Sequence, residues 1–309
     1  MIWLNQLVQG LMLGGYYALL ACGLSFMFGV MGIINLAHGS LAVLAAYMLF
    51  VLAERFEVHP LLGLVAVIPV MALIGWVLHR LVLERSARAG ALIPLLSTFG
   101  LASVLDNSMF QAFGADTRSL APYIDSLSYD GWSLPGGIIV GQLAVLTLVV
   151  AVALLGGLQL LLARTALGRR IRAAAHDPDT AQLLGVDARA VYAASTAIAM
   201  TTVAVAGAFL AMRATFDPYS GPYQLIFAFE AVIIGGAGSL WGTLVGGIVL
   251  GVAQSIGAKV HPQGFLIAGH VVFLVVLLAR VYAADTLRRW IRSSRSRSSS
   301  RSGNGATTP

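Results

Sequence analysis

Charged residues are scarce in this chain. Asp, Glu, Lys and Arg make up 10% of its 309 residues, while 58% are hydrophobic. A soluble domain is typically about 25% charged, so this composition leaves too little polar surface to face water. The apolar residues occur in long runs, several of which approach the roughly 20 residues that a helix needs to cross a bilayer. The sequence therefore excludes an ordinary soluble protein and predicts membrane-spanning helices rather than a barrel.

Cysteine and lysine are nearly absent. The single cysteine, Cys22, excludes an intrachain disulfide and a cysteine-based metal site, and it lies in an apolar run where a core residue is expected. The single lysine, Lys259, stands in GAKVHP, so the chain has no GxxxxGK[ST] phosphate loop. It also has no HExxH motif, no GxSxG elbow and no histidine pair at metal-ligand spacing. The sequence thus predicts a non-catalytic protein without a metal or cofactor.

Fifteen of the 19 Lys and Arg residues lie in three short segments. The first Lys or Arg of the chain is Arg55, so the N-terminal run is expected to be a retained membrane segment. The positive-inside rule places arginine-rich loops in the cytoplasm, and it explains the net charge of +6 without a nucleic-acid partner. The predicted cytoplasmic segments are 80–91, 164–190 and the C-terminus, and the predicted extracytoplasmic segments are 114–136 and 213–224.

Two glycine-rich stretches interrupt the apolar pattern. The apolar runs are roughly 7–30, 41–53, 62–79, 92–113, 137–163, 191–212, 225–257 and 264–284. We call GVMGIINLAHGS (29–40) the first interruption and GGAGSLWG (235–242) the second interruption. The 33 residues of 225–257 are long for one crossing and short for two. We therefore predict an all-α polytopic membrane protein of about eight transmembrane segments, with two broken or re-entrant helices.

The two interruptions occupy corresponding positions in the two halves of the membrane domain. Paired interrupted helices are typical of an inverted-repeat transporter whose pathway lies at the repeat interface. Polar groups at membrane depth favour the same interpretation, because they usually face a bundle interior or a water-filled cavity. The candidates are Asn35 and His38 in the first interruption, Glu230 just before the second, and Asp106 in another run. The alternatives are glycine-mediated helix packing and, for His38, a satisfied packing residue.

The loop 164–190 contains a short capped helix. Asp177 can cap its N-terminus, Pro178 suits the first helical position, and Gly185 suits the position after the C-cap. The predicted helix covers 178–184, with apolar residues available for contact. A helix this short needs packing to persist in water. It is interpreted as a docking helix for a cytoplasmic subunit, or alternatively as a well-capped connector.

Three stretches together resemble one known family. They are GLMLGGYYALLACGLSFMFGVMGIINLAHGSLAVLAAY (10–47), GRRIRAAAHDPDTAQLLGVD (168–187) and AFEAVIIGGAGSLWGTLVGGIVLG (228–251). Their order and spacing resemble the LivH-type permease subunits of branched-chain amino-acid ABC transporters across residues 1–284. The second stretch departs from the family at His176, which stands where an acidic residue is usual.

The resemblance implies an inverted-repeat ABC importer permease in a bacterial inner membrane. It implies a LivM-type second permease, two cytoplasmic ATPase subunits and a periplasmic substrate-binding protein as partners, with leucine, isoleucine or valine as substrate. The residues expected at the translocation pathway are Asn35, His38, Gly39, Glu230, Gly235, Gly236 and Gly238. Those expected to couple to the ATPases are Gly168, Arg172, Ala174, Asp177, Leu184 and Gly185.

Other functions and one further segment stay open from sequence. A urea or short-amide permease of the same family is one alternative, because specificity in such importers resides largely in the binding protein. A proton-coupled secondary carrier that uses His38, Glu230 or Asp106 is the other. The expected domains are a permease domain at 1–284 and an Arg/Ser-rich tail at 285–309. The tail has almost no apolar residues to bury and is expected to be disordered, with its arginines available to anionic lipid.

Overall fold

The computed structural model describes residues 2–90, 92–134 and 137–282, and the predicted tail at 285–309 lies outside them. The described chain is almost entirely helical, as predicted. The first helices are α1 (Ile2–Met31), α2 (His38–Phe56), α3 (Pro60–Leu78), α4 (Glu84–Ala89), α5 (Ile93–Phe113) and α6 (Ser126–Tyr129). They are followed by α7 (Gln142–Arg164), α8 (Ala166–His176), α9 (Pro178–Leu183), α10 (Ala188–Arg213), α11 (Gly221–Gly235), α12 (Leu240–Val260) and α13 (Gly264–Tyr282).

Seven described helical segments are long and apolar enough to cross a membrane. They are α1, α2, the continuous segment of α3 and α4, α7, α10, α12 and α13. This confirms the all-α polytopic class. Helix α5 has 21 residues but is not among the seven, and α11 is a shorter apolar helix. The number of about eight crossings therefore stays a prediction.

The loops that the sequence assigned to one side of the membrane lie at one end of the bundle. Arg189, from the segment 164–190, has its Nε 3.5 Å from Glu84 Oε1 of the segment 80–91. We call this the basic end. At the opposite end, the backbones of Arg118 and Phe216 exchange two hydrogen bonds of 2.8 Å, joining 114–136 to 213–224. The structure confirms both groupings, while the assignment of the basic end to the cytoplasm stays a prediction.

Helix α1 lies in the centre and packs antiparallel to α12 through glycines. A Cβ atom added to Gly14 would meet the backbone of Ile248, and one added to Gly251 would meet the backbone of Gly10. The absence of side chains lets the two backbones touch, which favours association in lipid, where apolar burial gives little gain. Helices α2 and α10 complete the buried centre, while α3 and α13 lie at the periphery.

The structure interrupts the apolar runs in more places than the sequence predicted. The run 137–163 begins with strand β2 (Ile138–Gly141), which pairs antiparallel with β1 (Gly131–Leu134) at the opposite end. Its β-branched residues suit an extended backbone, and α7 starts only after Gly141. A π-helical turn, His79–Leu83, joins α3 to α4. The run 225–257 is divided between α11 and α12, as the second interruption required.

Candidate translocation site and coupling surface

The two interruptions meet in the folded chain. The first contains the non-helical residues 32–37 between α1 and α2, and the second contains residues 236–239 between α11 and α12. A Cβ atom added to Gly29 would lie 3.0 Å from the Cα of Gly238, so the two backbones are in direct contact. Beside them, the hydroxyl of Thr243 donates a 2.7 Å hydrogen bond to the hydroxyl of Ser25. The structure thus gathers the predicted pathway segments, and the same contact also fits the packing alternative.

The first interruption keeps its polar groups inside the protein. Asn35 is fully buried, and its Oδ1 accepts a 3.0 Å hydrogen bond from the N–H of Ala37. The N–H of Leu36 donates at 3.0 Å to the Thr98 hydroxyl on α5. These bonds replace the helical ones that the break removes, which is the condition for non-helical backbone at membrane depth. Among the described residues, Asn35 Nδ2 finds no hydrogen-bond partner.

His38 joins the start of α2 to the middle of α1. Its Nε2 lies 2.9 Å from the carbonyl oxygen of Leu20. Because a carbonyl can only accept, Nε2 carries the hydrogen and Nδ1 is left as an acceptor in the neutral ring. Nδ1 is buried, and no partner for it occurs in the described part of the chain. Nε2 therefore joins α2 to α1, while the lone pair of Nδ1 has no partner within the described residues.

Gly39 lies where two helix starts touch. A Cβ atom on Gly39 would overlap the carbonyl oxygen of Gly221, and one on Gly221 would lie 2.8 Å from the Cα of Ser40. The beginning of α2 therefore rests on the beginning of α11 with backbone against backbone. This contact connects the first interruption to the helix that leads into the second.

Glu230 faces a partner that the sequence analysis did not identify. Its side chain lies in α11 and is only 4% exposed, and Oε1 is 2.5 Å from Nδ1 of His270 on α13. The other carboxylate oxygen is buried and, within the described residues, has no hydrogen-bond partner. Glu230 therefore ties α11 to α13 through a single carboxylate–imidazole hydrogen bond.

Replacing His270 with alanine is expected to destabilise the protein. The substitution leaves the buried Glu230 carboxyl without its partner, and we expect a loss of about 2 kcal/mol, since His270 itself is half-exposed. Thermal unfolding in detergent measures the effect. Replacing both residues with leucine is the control, because removal of a whole buried pair is often close to neutral. An unchanged unfolding temperature for His270→Ala would show that the bond contributes nothing.

The glycines of the second interruption allow the chain to reverse its direction sharply between α11 and α12. Gly235 and Gly242 touch backbone to backbone, while Gly236 and Gly238 have φ angles of +100° and +84°. A side chain is disfavoured at such angles, so glycine is the residue expected at both positions. Arg280 at the end of α13 donates a 2.8 Å hydrogen bond to the carbonyl of Ile234, which closes the C-terminal end of α11.

The predicted coupling helix is present as α9 at the basic end. Asp177 Oδ1 accepts hydrogen bonds of 3.1 Å from the N–H groups of Asp179 and Thr180. The Thr180 hydroxyl also donates to Asp177 at 2.6 Å, and these bonds hold the pKa of the Asp177 carboxyl below its usual range. A lowered pKa means that the charged cap stabilises α9 at neutral pH and that this stabilisation is lost as the pH falls through the folded-state pKa.

The C-terminus of α9 is also closed. Gly185 has φ +82°, its N–H bonds to the carbonyl of Gln182, and the N–H of Val186 bonds to the carbonyl of Ala181. These two bonds are the Schellman arrangement, in which a left-handed glycine ends the helix. A six-residue helix thus holds its shape with caps at both ends, as its sequence predicted.

The apolar residues of α9 lie partly on its buried side and partly on its exposed side. Ala181 is buried against the protein, whereas Leu183 is 88% and Leu184 is 80% exposed. We call these two side chains the leucine pair. Two neighbouring exposed leucines on a rigid, capped turn form a small apolar knob at the basic end.

The remaining predicted coupling residues lie in α8. Gly168 is buried where α8 turns away from α7, and its N–H donates at 2.9 Å to the Thr165 hydroxyl. Ala174 is buried, and its carbonyl accepts a 2.9 Å hydrogen bond from the hydroxyl of Tyr192 on α10. Arg172 is exposed. Gly168 and Ala174 therefore fix the loop to the membrane helices, and only Arg172 is presented outward.

A cleft of about 390 Å³ runs from α9 to the first interruption. Its walls come from α9, α10, α4 and the π-helical turn, and they include Gln182, Tyr192, His79 and the interruption residues Met31 and Ile33. A displacement of α9 therefore has a direct structural route to the first interruption along these walls.

The sequence of the described helical region matches one family. A family model described as the branched-chain amino acid transport system / permease component covers residues 6–281. The chain belongs to this permease family. No solved structure matches it.

Several relatives match most of the length of the permease. It is 31% identical to the high-affinity branched-chain amino acid transport system permease protein BraD of Pseudomonas aeruginosa, over 89% of this chain and 93% of BraD. It is 29% identical to the permease protein LivH of Escherichia coli K12, over 82% and 85% of the two chains. It is also 30% identical to a probable LivH of Methanocaldococcus jannaschii, over 86% of each.

Sequence reasoning missed three residues of the permease that hold the candidate site together. His270 and Arg280 bind α11 from α13, and Thr98 binds the first interruption from α5. A histidine in an otherwise apolar run was the available signal for His270. Within the described residues, no group of three or more His, Cys, Asp or Glu is placed to hold a metal ion.

Proposed function

We propose that this permease is a subunit of an ATP-driven importer that moves leucine, isoleucine or valine across a bacterial inner membrane. The observation that carries the coupling part is the exposed leucine pair on the doubly capped α9. Because the chain has no phosphate loop, ATP-driven transport requires an ATPase in another subunit, and this apolar knob is a surface on which a cytoplasmic ATPase can act. The substrate part is supported by the names of the relatives BraD and LivH.

The proposed mechanism is alternating access driven from the basic end. ATP binding draws two cytoplasmic ATPase subunits together, and their closure displaces α9. The displacement follows the cleft past His79 and Tyr192 to Met31 and Ile33, and it changes how the two interruptions meet. A periplasmic binding protein delivers the amino acid at the opposite end, and a LivM-type second permease supplies the other half of the pathway.

The proposed site residues differ in their roles. Asn35 and His38 each leave one buried polar atom available, and so does Glu230. These atoms are the candidates for transient bonds to substrate or water when the interruptions separate. The glycines have a different proposed role, which is to let the backbones lie close together before the interruptions separate. These glycines are Gly39, Gly235, Gly236 and Gly238.

Reconstitution of the purified complex in vesicles tests the function. We expect uptake of radiolabelled leucine that requires the binding protein and internal ATP, and no uptake driven by a proton gradient alone. Uptake that follows the proton gradient without ATP would instead establish the secondary carrier. Ligand analysis of the co-purified binding protein separates branched-chain amino acids from urea or short amides.

A further inference from the structure

Helix α5 extends from one end of the bundle to the other. It follows α4 at the basic end, and at its far end the Phe113 ring stacks on Tyr47 with centroids 4.2 Å apart. Its 21 residues correspond to about 32 Å, which is the thickness of the hydrocarbon layer. Yet α5 is absent from the seven apolar segments. A helix that crosses the full thickness therefore does so with an unusually polar composition.

The polarity of α5 lies on its exposed side as well as its buried side. The exposed polar or glycine positions of α5 are Gly100, Ser103, Asn107, Ser108 and Gln111. We call this surface the α5 polar face. Helix α5 also exposes apolar side chains, such as Leu96 and Val104, but the large side chains that α3 exposes are all apolar, and those of α13 are apolar except for Arg280 near its end. Helix α5 therefore differs from those two helices by the polar positions that lie among its exposed apolar ones.

The α5 polar face is poorly suited to contact with the hydrocarbon of the bilayer. The serine hydroxyls bond to carbonyls of their own helix, as Ser108 does to Val104 at 2.7 Å. An amide has more groups to satisfy. Asn107 donates to the Ser103 carbonyl at 2.8 Å and accepts from the Tyr219 hydroxyl at 3.3 Å, which leaves one N–H for an outside partner. Polar groups at membrane depth usually face protein or a water-filled cavity, so lipid is not the expected neighbour of this face.

The surroundings of Asn107 suit a small amino acid. The Tyr219 ring lies 5.7 Å from the Phe110 ring, and both are partly exposed next to the amide. Such a surface offers hydrogen bonds to the ammonium and carboxylate groups and an apolar wall to a branched side chain. The one acidic residue of α5, Asp106, is buried, so the face has no fixed charge that would hold a zwitterion tightly. Weak binding is what conduction requires.

We infer that the α5 polar face, with Tyr219, forms a substrate-facing wall of the translocation pathway. The substrate identity rests on the proposed function. The wall is attached to the candidate site, because Thr98 of the same helix binds the backbone of the first interruption.

Cysteine substitution tests the wall directly, because the native Cys22 is fully buried. Cysteine is placed in separate variants of the reconstituted complex at Ser103, Asn107 or Gln111, and at the control positions Val65 and Leu274. A charged methanethiosulfonate reagent reacts with thiolate, which forms only where water has access. We expect labelling of the three α5 variants at least about tenfold faster than of the controls, and slower labelling with saturating leucine-loaded binding protein. Labelling as slow as at Val65→Cys would overturn the inference.

Uptake by Asn107 variants is the second measurement. At leucine concentrations below saturation, Asn107→Leu is expected to lower the rate of uptake by roughly fivefold to tenfold. Asn107→Gln is expected to retain most of the wild-type rate. Equal uptake by wild type and Asn107→Leu would overturn the role of Asn107. The two measurements separate the wall from the identity of the substrate. Fast labelling of the α5 polar face without any leucine uptake would support the wall and show that leucine is not the substrate.

Discussion

Replacing Leu183 and Leu184 with aspartate is expected to abolish binding of the ATPase subunits while the permease remains folded in the membrane. Both side chains are more than three-quarters exposed, so the substitution removes almost no internal contact. The caps of α9 are backbone and Asp177 bonds that do not involve the leucine pair side chains. The variant should therefore change the proposed docking surface far more than the packing of the permease.

The expected size follows from apolar burial. A leucine that becomes fully buried contributes about 1.5–3 kcal/mol, so loss of the leucine pair should weaken association by at least about 3 kcal/mol, or roughly a hundredfold. Co-purification from detergent followed by mass spectrometry measures retention of the ATPases, and ATP-dependent uptake measures coupling. The double Leu→Met variant is the matched control, since it keeps apolar volume at both positions and should retain the complex. If the aspartate variant co-purifies with as much ATPase as the wild type does, the docking surface lies elsewhere.

Replacing Gly39 with alanine is expected to abolish transport. The added methyl group would overlap the Gly221 carbonyl oxygen and lie 2.8 Å from its carbonyl carbon. Both obstacles are backbone atoms and cannot rotate away, so the starts of α2 and α11 must separate. Overpacking of this kind costs about 1–3 kcal/mol or more, and here it also displaces the segment that holds Asn35 and His38.

A second glycine provides the control for that substitution. Gly157 lies in the interior of α7, and a Cβ atom there would meet nothing within 4 Å. Gly157→Ala should therefore leave uptake unchanged and raise helix stability by up to about 1 kcal/mol. Thermal unfolding in detergent and ATP-dependent leucine uptake are measured for both variants. Normal uptake by Gly39→Ala would show that α2 and α11 need no close contact for function.

Local signals in the sequence were the most reliable. The cap of α9 depends on Asp177 and Gly185, which lie within a few residues of the backbone groups they serve, so their pattern was readable without a fold. The two interruptions were visible for the same reason, because glycine and polar residues break an apolar run wherever it folds. The grouping of loops at two ends followed from arginine placement alone, and the structure confirms it.

Features that depend on distant contacts were not predictable. Glu230 was singled out as an acid in an apolar run, but its partner His270 lies 40 residues away on another helix. The polar residues of α5 are equally present in the sequence, yet nothing in one helix tells which of its sides the other helices cover. Hairpin β1–β2 was missed because its apolar residues merge with those of α7 in the sequence.

The sequence by itself determined that the chain crosses a membrane, which segments share an end of the bundle, where two helices break, and how α9 is capped. Composition, charge and local hydrogen bonding decide these features, and each acts over a few residues. Only the tertiary structure decided that the two interruptions touch at Gly29 and Gly238 and that the α5 polar face is left uncovered. Contacts of that kind depend on how whole helices pack, and close packing is a property of pairs of surfaces that no single stretch of sequence contains.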